Sequence, residues 1–189
     1  MSDTGAAVGD LRGDVALLGD VAAGRPEAVH RLLDTVAPVV YGFLHARVGG
    51  NDAAAEDLLQ ETLLEAVRSA AGYRGDAALS TWLCAIARHR LARHYERERR
   101  DEVARSGLRL VADLDTVRPD DELETRDEVV RALGRLSPLH RQVLVLKYLD
   151  GLPVEQIAEE LGRTRVQVQS LLQRARDNLR RELEPNSDD

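Results

Sequence analysis

The stretch from Leu152 to Arg181, LPVEQIAEELGRTRVQVQSLLQRARDNLRR, constrains the fold more than any other part of the chain. It predicts a short amphipathic helix over Val154 to Leu161, a sharp turn at Gly162 and Arg163, and a second helix capped by Thr164. Ile157, Ala158 and Leu161 form one apolar patch. Val168, Leu171, Leu172, Ala175 and Leu179 recur at three- and four-residue spacing, so the second helix carries a stripe that can pack on that patch. Two helices locked across a tight turn make a helix-turn-helix, which lets the second helix enter a DNA groove. Left outside are Val166, Gln169, Ser170 and Gln173, flanked by Arg165, Gln167 and Arg174. Glutamine and arginine make paired hydrogen bonds to adenine and guanine edges, and arginine also neutralises phosphate. The same spacing suits two helices of an ordinary bundle with a solvated polar face, so the rest of the chain has to decide.

A chain of 189 residues fits one or two domains. Abundant alanine, leucine, arginine and glutamate, with 3% aromatic residues, favours an all-α fold. No apolar run approaches the roughly 20 residues needed to span a bilayer. The start, MSDTGAAVGD, lacks the basic and apolar regions of a signal peptide, so a cytoplasmic location is expected. Cys84 is the single cysteine; it excludes an internal disulfide and a cysteine-based zinc cluster, and within WLCAIA it reads as a core residue rather than a nucleophile. No cofactor and no metal are expected. Enzymatic chemistry is not expected either, because the chain shows no nucleophile-base pair, phosphate-cradling glycine loop or paired-carboxylate signature.

The net charge of −7 argues at first sight against a nucleic-acid partner. That sum hides a segregation. Arg88, Arg90, Arg93, Arg97, Arg99 and Arg100 fall in one helical stretch, and Arg163, Arg165, Arg174, Arg176, Arg180 and Arg181 in another. Acid concentrates between them in Asp113, Asp115, Asp120, Asp121, Glu122, Glu124, Asp127 and Glu128.

Along the chain, residues 1–24 read as a mobile tail followed by a short helix. Pro26 opens one continuous helical pattern, PEAVHRLLDTVAPVVYGFLHARVG, that Gly49 and Gly50 end. Asn51 or Asp52 can cap DAAAEDLLQETLLEAVRSA, with Leu58, Leu59, Leu63 and Val67 facing inward. A turn around Gly72 to Asp76 leads to a long helix from about Leu79 to Glu102, whose second half, ERERRDEVAR, is charged all round. Residues 106–121 lose periodicity, gain aspartate and contain Pro119, which predicts a flexible acidic linker. Helical pattern resumes at ELETRDEVVRALGRL, after which Ser137 is expected to cap and Pro138 to begin PLHRQVLVLKYLDG.

Three stretches in this order carry a resemblance: AEDLLQETLLEAV, YRGDAALSTWLCAIARHRL and LSPLHRQVLVLKYLDGLPVEQIAEELGRTRVQVQSLLQRARDNLR. Together they resemble the extracytoplasmic-function (group IV) sigma factors of bacterial RNA polymerase, over roughly Pro26 to Leu183. The resemblance implies two helical domains, sigma region 2 over 25–105 and sigma region 4 over 122–185, between a tail over 1–24 and one over 186–189. In that family the DLxQET helix docks on the clamp helices of the largest polymerase subunit, which assigns core-polymerase contact to Asp57, Gln60 and Glu61. An acidic accessible face suits an arginine-bearing partner helix.

The YRGDAALSTW stretch is similar to the loop and helix that open the −10 promoter element, where a base leaves the stack and cationic side chains track the single strand. The resemblance carries that role to Tyr73, Arg88, His89, Arg90 and Arg93; Trp82 fits the same pattern, but core packing is the preferred reading for it. His89 stands where an asparagine is frequent and Arg93 where an aspartate is. For the −35 element the resemblance implies contacts by Arg163, Thr164, Arg165, Gln167, Gln169, Ser170, Gln173 and Arg174. Relatives usually carry lysine at the place of Gln169 and arginine at that of Leu171, which predicts weaker phosphate attraction or an altered −35 sequence. The implied partners are the polymerase core, promoter DNA and an anti-sigma factor. A helix-turn-helix regulator that does not bind polymerase is the alternative; it would leave the first two stretches unexplained.

Overall fold

The computed structural model describes residues 11–106 and 124–183, and all regular structure among them is helical. The chain divides into two compact units, 1–44 with 52–92, and 45–51 with 93–189. The expected acidic linker lies outside the described residues except for Ser106, which ends a helix.

In the first unit α1 (Leu11–Ala22) buries Leu17, Leu18 and Val21. A short helix was expected here, and it packs against α2 (Pro26–Thr35) and α4 (Asp52–Arg68). The single helix predicted from Pro26 is two, α2 and α3 (Ala37–Arg47). Val36 ends α2 with φ −107°, and Pro38 follows at the second position of α3. A proline inside a helix removes a donor and clashes with the carbonyl four residues back, so the apolar period continues across the break while the hydrogen-bond ladder does not.

Helix α4 buries Ala55, Leu58, Thr62 and Ala66. Val67, expected inside, is 37% exposed, and Leu64 is 57% exposed. Thr62 satisfies its buried hydroxyl on the Leu58 carbonyl at 2.7 Å. The Asp52 carboxylate accepts the Tyr41 hydroxyl at 2.7 Å, and that bond is the main reason the phenol is pushed up to about 12. A 3-10 turn at Ala70–Gly72 leads into α5 (Leu79–Ser106), which runs from the first unit into the second.

The second unit holds α6 (Glu124–Arg135), α7 (Pro138–Leu144), α8 (Val154–Leu161) and α9 (Arg165–Leu183). Its core joins Leu133, Leu136, Val143, Leu144 and Leu146 to Ile157, Ala158, Val168, Leu171, Leu172 and Ala175. Ser137 precedes Pro138 but makes no side-chain cap bond. The helix of α7 widens into a π turn over Val145–Leu149, with the Asp150 amide donating to the Val145 carbonyl. Buried cations in this unit are paired: Arg47 lies 2.8 Å from Asp150, and Arg141 bonds Glu98. Tyr95, buried beside them, donates to the Arg47 carbonyl, and burial raises its ionisation above the ordinary range.

Candidate nucleic-acid interface

Helix α9 begins where Gly162 takes the left-handed conformation (φ 60°), so α8 stops and the chain turns sharply. Thr164 and Gln167 form a reciprocal capping box: the Gln167 amide donates to Thr164 Oγ1 at 3.2 Å, and the Thr164 amide donates to Gln167 Oε1 at 2.9 Å. The start of the recognition helix is thereby fixed in register. Opposite the buried stripe of Val168, Leu171, Leu172 and Ala175 lies an exposed face containing Val166, Gln169, Ser170 and Gln173.

The structure redistributes the work expected of that face. Gln167 spends its carbonyl oxygen on the cap. Arg165 pairs with Glu155 at 3.2 Å, and Arg174 donates to the Ser170 carbonyl at 3.4 Å. Gln173 is held by Asp177 at 3.2 Å and by Arg176 at 2.7 Å. Arg163, Gln169 and Ser170 are exposed. Leu171 is 4% exposed, so it is a core side chain and takes no part in the exposed face, where the resemblance led to the expectation of a lost cation. Val166, at 73%, is the most exposed large apolar side chain among the described residues and sits in the first turn of α9.

On α5 the side chains of Trp82, Ile86, His89 and Arg93 follow one another at three- and four-residue spacing, with the first pair half-buried and the second pair exposed. Arg88 is exposed and its guanidinium lies 5.2 Å from the Phe43 ring centroid. Two expected contact residues are placed differently. Tyr73 is 6% exposed; its hydroxyl donates to the Ala77 carbonyl at 2.7 Å and its ring lies 5.2 Å from that of Trp82. Burial, then the Asp14 charge, raises the ionisation of this phenol. Arg90 reaches α4, lying 2.8 Å from Glu65 and 3.8 Å from Glu61. It ties α5 to α4. The outer face of α4 presents Asp57 and Gln60 beside Leu64, one helical turn beyond Gln60. Leu64 shares the helical period of Asp57, Gln60 and Glu61, and that spacing is the signal in the sequence that puts it on the outer face.

Among the described residues no group of three or more His, Cys, Asp or Glu side chains could hold a metal ion, and no described helix is long and apolar enough to cross a membrane.

Comparison with known families matches residues 32–101 to Sigma-70 region 2 and residues 126–179 to Sigma-70, region 4. The ECF RNA polymerase sigma factor BldN of Streptomyces coelicolor is 32% identical over 157 residues, 81% of this chain; the chain spans 59% of that relative's length. RNA polymerase sigma factor CarQ of Myxococcus xanthus is 36% identical over 140 residues, covering 74% of this chain and 79% of CarQ. Among solved structures, a chain of the RsbN–BldN complex is 27% identical, covers 87% of this chain and 97% of that one, and has a TM-score of 0.37. With both sigma regions present in order, and with CarQ matched over most of its length, this chain belongs to the sigma-70 family as an extracytoplasmic-function sigma factor of bacterial RNA polymerase.

Proposed function

We propose that the chain confers promoter recognition on core RNA polymerase, using residues 25–105 for the core enzyme and the −10 element and residues 122–185 for the −35 element. It supplies no catalytic residue of its own, acts in the cytoplasm, and is held inactive by an anti-sigma factor, as the family implies. One observation carries the reading: in the stretch matching region 4, α9 starts at a fixed cap and turns a polar face outward, opposite a fully buried stripe.

Within this reading Arg163, Gln169 and Ser170 make the direct −35 contacts, while Thr164 and Gln167 set the start of the helix. Arg165, Gln173 and Arg174 exchange their present intramolecular partners for phosphate or base edges, since exposed ion pairs and helix-surface bonds are worth little individually. At the −10 element Arg88, His89 and Arg93 track the strand, with Trp82 beside them as a stacking platform. Tyr73 and Arg90 support that surface from beneath. Asp57, Gln60 and Glu61 face the polymerase clamp helices, with Leu64 adding apolar contact.

Run-off transcription with core polymerase on a library of genomic fragments tests the whole. Promoter-dependent products are expected. Absence of any product together with absence of core binding would overturn the reading, and DNA binding without core binding would favour a stand-alone helix-turn-helix regulator.

A further inference from the structure

The long helix α5 begins without a cap of its own. Ala78, which precedes its first residue, has no side-chain acceptor, and the first turn contains no acidic residue. A helix start leaves backbone donors unsatisfied and carries partial positive charge, so an acceptor with negative charge is favourable there. That acceptor comes from α1: Asp14 Oδ2 accepts the Leu79 amide at 2.8 Å, across 65 residues of sequence. The same oxygen lies 3.5 Å from the Tyr73 hydroxyl. Both ends of the 73–79 segment therefore meet at one carboxylate.

The middle of the segment is covered by α1 as well. Gly75 has φ 75°, and a Cβ there would stand 3.0 Å from Val15 Cγ2 and 3.1 Å from the Leu11 carbonyl oxygen. Helix α1 thus closes over the segment, whose Tyr73 ring lies tilted against that of Trp82 at 5.2 Å. Asp14 lies outside the residues matched to region 2.

We infer that Asp14 is a positioning residue for promoter opening: by capping α5 beside Tyr73, it holds the 73–79 segment in the one shape that sets Trp82, His89 and Arg93 toward the −10 strand. This rests on the promoter-recognition reading above. Strand opening needs a surface formed in advance, because energy spent on ordering the loop is lost to base capture.

The test uses full-length chain with core polymerase on a promoter taken from the run-off selection, reading permanganate reactivity of −10 thymines. Asp14→Ala is expected to lower opening on duplex DNA roughly fivefold, the factor one lost cap represents. Core binding, and transcription from a template mismatched at −10, stay at wild-type level. Asp14→Asn, which keeps an oxygen for the Leu79 amide, restores most of the opening. Wild-type opening in Asp14→Ala overturns the inference, as does an equal loss on the mismatched template in both Asp14 variants. If Asp14→Ala also loses core binding, Asp14→Asn decides: it keeps the acceptor for the Leu79 amide, and opening that falls in it as far as in Asp14→Ala overturns the inference. A wild-type chain that opens no promoter refutes the sigma-factor reading instead, before any variant is compared.

Discussion

Single side chains in this protein divide between those that face a partner and those that hold the ones that do. Thr164 and Gln167 belong to the second group through their capping box. Thr164→Ala should destabilise the second unit by about 1 kcal/mol, measured by urea unfolding, and should weaken −35 binding only in proportion. His140 provides a pH-dependent counterpart. Burial, then the Arg174 charge, lowers its ionisation below 6.5, with Glu102 opposing, and its Nδ1 lies 2.8 Å from Asn178 Nδ2. The unfolded chain therefore binds the proton first as pH falls. Stability is complete above 6.5 and declines below it, toward the folded-state value. Unfolding at about pH 7.5 and about pH 5.5 should show this loss in the wild type and a smaller loss in His140→Gln.

At the level of elements, α9 combines a legible pattern with a use that was not legible. Its buried stripe follows directly from three- and four-residue spacing, and so does its exposed face. Which exposed residues are already engaged depends on Glu155, Asp177 and Tyr148, which periodicity does not place. Gln169 remains an exposed, uncharged position of that face. Gln169→Lys should tighten DNA binding and steepen the log–log salt dependence by about 0.9, one added phosphate contact, as read by a salt titration of a promoter fragment. Helices α2 and α3 show the opposite case. Their apolar residues keep one period through Val36, yet Pro38 divides them, because hydrogen bonding and burial obey different constraints.

Over the whole molecule the charge is negative although both candidate DNA faces carry arginine. Neutralising Asp113, Asp115, Asp120 and Asp121 to asparagine removes four negative charges and takes the net charge from −7 to −3. Nonspecific DNA affinity of the free chain should rise, most clearly at low salt, where charge is least screened; an unchanged mobility shift there would refute this. The sequence by itself determined the all-α architecture, the order of the two sigma regions, the turn at Gly162 and the inward stripes of α8 and α9. Each of these is written in residues a few positions apart, where helix geometry alone decides which side chains share a face. Only the tertiary structure decided that Asp14 caps α5, that Tyr73 is buried and that Arg90 is drawn to Glu65. Those partners stand 65 and 25 residues apart, and no local period encodes a pairing that comes into being when separate helices pack.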